Sequence, residues 1–376
     1  MIADKPKNCC GCTACEWVCP QRAIRMVTDP LGFLLPEVDK SLCIGCGLCE
    51  KLCPFITNTQ KEDAALPLAY AARHKNTGEI DTSRSGAVFT AVSSFVISRG
   101  GVVYGAAFAD DCSVEHQKAS DYIEMFKFKG SKYTQSDMRG IIRDLYAELQ
   151  RDRMVLFSGT PCQISAIRNL VPHKYKENLY LVDVVCHGAA APRVWADYIR
   201  YLEKRERRKI VKADFRDKSI YGWDGLHRES FLFDNNKKHT YPITFYQPFL
   251  IREACSVCPY ATTQRVSDLT LGDLWEWESV CPTMNEDKKG ISLVLVNTDK
   301  GQELLDSVAG DLDVRKIPLD DCLQLNLQNP TPRDPRADAF AKDYRSHGWE
   351  YTLAKYYPVS WTDKIKYGVK RVLGRV

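Results

Sequence analysis

Two runs of cysteine carry the most specific chemistry in this chain. The first is Cys9, Cys12, Cys15 and Cys19-Pro20; the second is Cys43, Cys46, Cys49 and Cys53-Pro54. Each reads C-x2-C-x2-C-x3-C-P, a spacing that lets one short loop place three thiolates on three corners of a cubane iron–sulfur cluster. The fourth cysteine lies too far along to close the same loop, and in two-cluster ferredoxins it ligates the other cluster. We therefore expect Cys9, Cys12, Cys15 and Cys53 to hold one 4Fe-4S cluster, and Cys43, Cys46, Cys49 and Cys19 a second. Gly11, Gly45 and Gly47 supply the tight turns that aim amide N–H groups at the sulfurs. Cys10 falls outside the pattern and is expected not to ligate. A pair of zinc sites is the alternative, but it leaves two tight four-cysteine runs, each closed by proline, unexplained.

Two later segments add thiols. Cys162 follows a short apolar stretch, Met154–Phe157; Cys186 ends another, Leu179–Val185; and Cys255-x2-Cys258 is closed by Pro259. In a partly parallel sheet, consecutive strands end on the same edge, where sites form. Four thiolates meeting there suit a third 4Fe-4S cluster; a zinc site, a redox-active Cys255–Cys258 pair or four unconnected thiols are the alternatives. His187, directly after Cys186, is a candidate proton donor. Adjacent charges at Asp217 and Lys218 read as a surface ion pair, and Cys112, Cys281 and Cys322 as core thiols.

Composition bounds the setting. Nine of the 16 cysteines fall between Cys9 and Cys53, a clustering typical of metal binding in a reducing compartment rather than of a disulfide scaffold. The 376 residues are 44% hydrophobic and 27% charged, enough for a full core without disulfides. The longest apolar runs, such as 101–109, fall far short of the ~20 residues of a membrane span. Cysteine-rich sequence begins where an apolar leader would lie, so a cytoplasmic location is expected. Net charge is +4, and nothing calls for nucleic acid. Residues 1–60 hold six acids and six bases. That balance predicts no charged docking face, and favours an electron wire built into a larger enzyme over a free carrier.

The elements that must position these residues follow from periodicity. Strands are expected at Leu68–Arg73, Val102–Phe108, Met154–Phe157, Leu179–Val185, Val211–Phe215, Ser230–Phe233, Leu269–Gly272 and Ile291–Asn297. Helices are expected at Ser85–Ser98, at Ser136–Gln150 with Ser136 or Asp137 as its cap, and at Val194–Lys204. The fold is mixed α/β with a partly parallel sheet. Residues 1–58 form a two-cluster ferredoxin domain, 59–66 a linker, 67–330 a larger mixed α/β domain, and 331–376 an extension. In its tail, Ile365, Val369, Leu373 and Val376 recur at helical spacing among bases. That is the pattern of a helix docked on its own domain or of peripheral membrane contact.

Seven signatures after the linker stand in order. They are Ser83-Arg84-Ser85-Gly86, Lys129-Gly130-Ser131-Lys132-Tyr133, Gly159-Thr160-Pro161-Cys162-Gln163 and Cys186-His187-Gly188. Then come Phe215-Arg216-Asp217-Lys218 with Gly222-Trp223, Cys255-x2-Cys258-Pro259, and Ser267-Asp268 to Gly272-Asp273-Leu274-Trp275. Together they resemble the coenzyme F-420 hydrogenase/dehydrogenase beta-subunit family, in the subgroup with an N-terminal two-cluster ferredoxin domain. The resemblance implies FAD beside iron–sulfur clusters, with the third cluster near the flavin. It implies flavin contacts at Ser83, Arg84, Ser85, Gly86, Lys129, Ser131 and Lys132. The family usually has a second glycine where this chain has Ala87. A flavin agrees with the chemistry, because a cubane passes one electron and a hydride carries two, and side chains alone do not pair them. No GxGxxG follows a strand, so a dinucleotide fold is not expected. The reading is an iron–sulfur flavoprotein oxidoreductase exchanging electrons with a small molecule, a deazaflavin-like carrier or a partner protein. Its alternatives are a non-catalytic electron-transfer subunit and, by the resemblance, an accessory protein of a surface-polysaccharide pathway.

Overall fold

Alternation along short apolar runs sorts side chains onto the two faces of one sheet, and that sorting builds most of this molecule. The computed structural model describes residues 2–57, 66–225, 228–241, 243 and 245–357. Residues 59–65 of the expected linker and the apolar stripe of the tail lie outside them. In chain order the strands are β1 (Ile24–Thr28), β2 (Leu34–Val38), β3 (Leu68–His74), β4 (Val102–Phe108), β5 (Val114–Ala119), β6 (Val155–Gly159), β7 (Leu179–Val184), β8 (Ile210–Asp214), β9 (Ser230–Phe233), β10 (Lys238–Thr240), β11 (Leu269–Asp273), β12 (Ser292–Val296) and β13 (Leu312–Ile317).

Eight of these make the main sheet in the order β13-β3-β12-β11-β7-β6-β4-β5. The inner run β4, β6, β7 and β11 is parallel; the outer pairs are antiparallel. Val103, Leu156 and Val182 face Val88, Val92 and Val96 of the helix on one side. Their neighbours Tyr104, Phe157 and Leu181 face Ile142, Leu145, Ile164 and Ile167 on the other. The fold is therefore mixed α/β, as the sequence implied, with both faces of the parallel strands covered. A second core, rich in aromatic rings, packs the Pro192–Glu206 helix around Trp195 against β8, β9 and the Ala337–Tyr356 helix.

All three expected helices start elsewhere, the one expected at Val194 by only two residues, at Pro192. The first helix begins at Val88 rather than Ser85. Ser85 Oγ donates to the Ile291 carbonyl at 2.6 Å and the Gly86 amide to Ser292 Oγ at 3.0 Å, tying this stretch to β12. The second begins at Ile141, after Gly140 at φ 85°. Ser136, offered as its cap, instead bonds His116 Nδ1 at 2.6 Å, and the Asp137 carboxylate pairs with Arg139. β5 and β13 have no clean apolar alternation. β5 is an edge strand with a buried histidine, and β13 an edge strand whose middle four residues are exposed, as edges that avoid further pairing often are.

The N-terminal block packs on the sheet domain at the Pro161–Leu170 helix, the helix that carries Cys162. Tyr260 Oη donates to the Pro54 carbonyl at 2.7 Å, and Asn169 Nδ2 to the Leu52 carbonyl at 3.3 Å. Arg252 is the main clamp. Its guanidinium donates to the carbonyls of Leu34, at 2.6 Å, and of Cys9, and to Gln135 Oε1 at 2.6 Å. Gln135 Nε2 in turn donates to the Cys10 carbonyl at 2.7 Å. Gly11, at φ 70°, has no room for a side chain here, since a Cβ would stand 2.6 Å from Gln135 Nε2.

Candidate metal centre

The N-terminal thiols fall into two groups that cross the two motifs. Cys19, from the first run, lines one hollow with Cys43, Cys46 and Cys49 from the second. Cys15 lies among the others: burial pushes its thiol up to about 12, with the charges of Cys9 and Cys53 adding to the effect. Backbone amides point at the sulfurs. Gly11 donates to Cys9 Sγ at 3.3 Å, Ala23 to Cys19 Sγ at 3.2 Å and Ile2 to Cys49 Sγ at 3.4 Å. Gly11, Gly45 and Gly47 all stand at φ near +70°, the region glycine enters without steric cost.

The later cysteines meet where the parallel strands end. β6 runs into Thr160, whose capping box with Gln163 starts the helix holding Cys162. β7, the parallel neighbour of β6, runs into Cys186. Cys255 and Cys258 close the Glu253–Val257 turn beside them. Burial pushes the Cys186 thiol up to about 12, followed by the charges of Cys255 and Cys162. Burial does the same to Cys258, followed by Cys162. The Gly188 amide donates to Cys186 Sγ at 3.4 Å. Cys10 occupies a place the sequence did not foresee. Its buried thiol lies within hydrogen-bond reach of both Cys12 and Cys162, in a small apolar contact with Ala14 and Ala166.

The residues carried over for a flavin lie on two neighbouring loops: Lys129 Nζ donates to Thr82 Oγ1 at 2.9 Å and pairs with Glu79 at 2.6 Å. Their polar groups are mostly engaged with protein. Lys132 Nζ donates to the carbonyls of Lys127, Phe128, Lys129 and Gly130. Arg84 donates to the carbonyls of Arg216 and Trp223. Gly86 is required by packing, since a Cβ would stand 2.3 Å from the Ala72 carbonyl. Ala87, where the family has glycine, takes φ 62°.

The same rim gathers motif residues to which the sequence assigned no role. Arg216 pairs with Asp273 at 2.6 Å, lies 5.1 Å over the Trp275 ring and reaches Tyr133 Oη at 3.4 Å. Trp223 Nε1 donates to Asp273 at 3.1 Å, and its ring stacks on Trp275. His187 is exposed at the end of β7; the protein around it and then the Arg216 charge depress its pKa. Asp217 and Lys218 are not a surface pair. Asp217 is buried and caps its own helix while pairing with Lys238; Lys218 Nζ donates to the carbonyls of Ile80 and Lys289. Cys112, Cys281 and Cys322 are core residues.

The donor chemistry fits cubanes. All three groups are thiols with amide N–H donors at some of the sulfurs, the environment iron–sulfur clusters use. Among the described residues no three cysteine, histidine or acidic side chains stand close enough to hold a single ion. For a flavin the fit is partial. Arg84 Nε and Arg216 Nε and Nη2 are buried without a partner, which suits an oxygen-rich group, while Lys129 and Lys132 are already satisfied.

Comparison with known proteins matches residues 152–320 to the family model for the C terminus of the coenzyme F420 hydrogenase/dehydrogenase beta subunit. Residues 8–56 match the model 4Fe-4S dicluster domain. No curated protein matches the sequence. Among solved structures, a chain of the F420-reducing hydrogenase complex from Methanosarcina barkeri is similar at 14% identity, over 79% of this chain and 93% of that one, with a TM-score of 0.46.

Proposed function

We propose that the chain is an iron–sulfur electron-transfer protein of oxidoreductase type that carries three 4Fe-4S centres, a reading supported by the match of residues 152–320 to the C-terminal model of the coenzyme F420 hydrogenase/dehydrogenase beta subunit and of residues 8–56 to the 4Fe-4S dicluster domain. Cys9, Cys12, Cys15 and Cys53 would hold the first, Cys43, Cys46, Cys49 and Cys19 the second, and Cys162, Cys186, Cys255 and Cys258 the third. Such centres supply one-electron transfer when bound. The observation that carries the proposal is the contact between thiol groups: Cys10 bridges from Cys12 to Cys162 in a buried, apolar seam. Zinc sites kept only for structure gain nothing from such closeness, whereas electron transfer depends on it.

FAD belongs to the same proposal, at the rim where the loops of residues 83–86 and 129–132 meet the Arg216–Asp273 pair. There the free guanidinium N–H groups of Arg84 and Arg216 would bind its oxygens, and His187 would hold a proton at its ring nitrogen for the small-molecule substrate. A second reading, an electron-transfer subunit that feeds a separate reductase, is favoured by one fact: Lys129 and Lys132 are bonded to protein. Anaerobic purification with iron, sulfide and flavin assays on one sample tests both. About twelve irons with about one flavin per chain support the enzyme; twelve irons without flavin support the subunit. Stoichiometric zinc with no broad visible absorbance overturns the proposal.

A further inference from the structure

The two N-terminal thiol groups differ in what covers them. In the first, Cys12 and Cys15 are buried, 8% and 7% exposed, with Cys12 in the seam with the sheet domain. In the second, Cys49 is buried too, but Cys46 lies at the surface. The chain around it shows apolar side chains to solvent: Leu42 is 50% exposed, Ile44 64% and Leu48 38%. Ile44 and Leu48 line the same hollow as the thiols.

Charge around this patch is not what the residue count implied. Of the six acids in the block, four belong to the hairpin side. Asp4 accepts from the Val38 amide, Glu16 from Met26, Asp29 from Leu31 and Phe33, and Glu37 pairs with Arg25 and Lys5. The two acids flanking the patch are also engaged. Asp39 accepts from the Ser41 amide and hydroxyl, at 2.9 and 2.6 Å, and Glu50 has a partner of its own. The bases flanking it, Arg22, Lys40 and Lys51, are exposed, and no ion pair among the described residues involves Lys40 or Lys51. Hydrogen bonding leaves both carboxylates ionised, so the apolar centre is rimmed by three exposed bases against two acids, an excess of one positive charge, around the exposed Cys46. An apolar core inside a charged rim is the anatomy of a transient docking site, and the rim selects partners of opposite sign.

We propose that the surface formed by Leu42, Ile44 and Leu48, rimmed by Arg22, Lys40 and Lys51, docks an acidic one-electron carrier protein. This rests on the iron–sulfur reading above. The partner covers Cys46 with its own redox group and meets the bases with carboxylates. The contact is small and electrostatically steered, as suits an exchange that must release quickly.

The test uses the full-length, iron-replete protein and an acidic 2Fe-2S ferredoxin as probe, with affinity read by titration calorimetry and transfer by stopped-flow absorbance at several ionic strengths. Lys40→Glu with Lys51→Glu weakens binding by about tenfold or more at low salt, and the difference disappears near about 0.5 M salt. Leu42→Ser weakens it at every salt concentration. Both variants keep the parent's iron content. Iron-replete variants that bind the ferredoxin as well as the parent does, or better, overturn the docking proposal alone. A parent protein without iron–sulfur absorbance overturns the underlying reading as well.

Discussion

His116 shows at the residue scale how burial fixes a protonation state. Its Nδ1 meets Ser136 Oγ at 2.6 Å and its Nε2 the Ser158 carbonyl at 3.0 Å. Nε2 therefore donates and Nδ1 accepts, the neutral tautomer. Burial pushes its pKa down from 6.5 to about 4. The unfolded chain binds a proton below about pH 6.5 that the folded chain refuses until about pH 4. The stabilisation is therefore complete above 6.5 and lost as pH falls towards 4, on the order of 3 kcal/mol in all. His116→Gln is expected to flatten the slope of stability against pH in that window relative to the parent, measured by urea denaturation. Among the thiols, Cys10→Ser is expected to leave the iron content unchanged. Cys19→Ser is expected to remove the centre shared with Cys43, Cys46 and Cys49 and to spare the one at Cys9, Cys12 and Cys15, as iron assay and electron paramagnetic resonance report.

At the scale of elements, the stretch from Ser83 to Ala87 is held by strands rather than by the helix after it. A side chain at Gly86 collides with the β3 backbone, so Gly86→Ala forces β3 and β12 apart and is expected to cost several kcal/mol. Ala87→Gly acts in the opposite sense. Ala87 sits at φ 62°, where a non-glycine residue is disfavoured by about 1–2 kcal/mol. Its replacement is expected to raise the thermal midpoint, with scanning calorimetry as the check. A destabilised Ala87→Gly protein would contradict the left-handed turn.

Across the whole molecule, Arg252 joins the two parts. Removing it leaves the carbonyls of Cys9 and Leu34 and the amide of Gln135 without their charged partner. Buried groups left unpaired cost about 1–3 kcal/mol each. Arg252→Met is expected to lower the stability of the N-terminal block by about 3 kcal/mol or more. Faster hydrogen exchange at residues 9–15, with the central strands unchanged, is the signature of loosened docking; uniform acceleration would mean a general loss of stability. Cys162→Ser in the intact chain is expected to lower the iron count from about twelve to about eight. No described helix is long and apolar enough to cross a membrane.

The cysteine spacing alone specified the dicluster domain at residues 8–56, because each motif sets three thiols of one centre, its glycines and a terminal Cys-Pro close together in sequence. The apolar runs likewise marked most strands of the main sheet, because alternation is a property of each strand by itself. Tertiary structure decided what depends on neighbours far along the chain. It drew Ser85 and Gly86 onto β12, so the helix expected at Ser85 starts three residues later. It buried Asp217 and half-buried Lys218, which look like surface charges, by giving them Ser230, Lys238 and two carbonyls as partners. It placed Cys10 against Cys162, 152 positions away. It also gathered three of the block's six bases, with only two of its acids, around Cys46. A count of charges carries no position; which carboxylates bond back to the hairpin, and which lysines face water, is set only when the chain is packed.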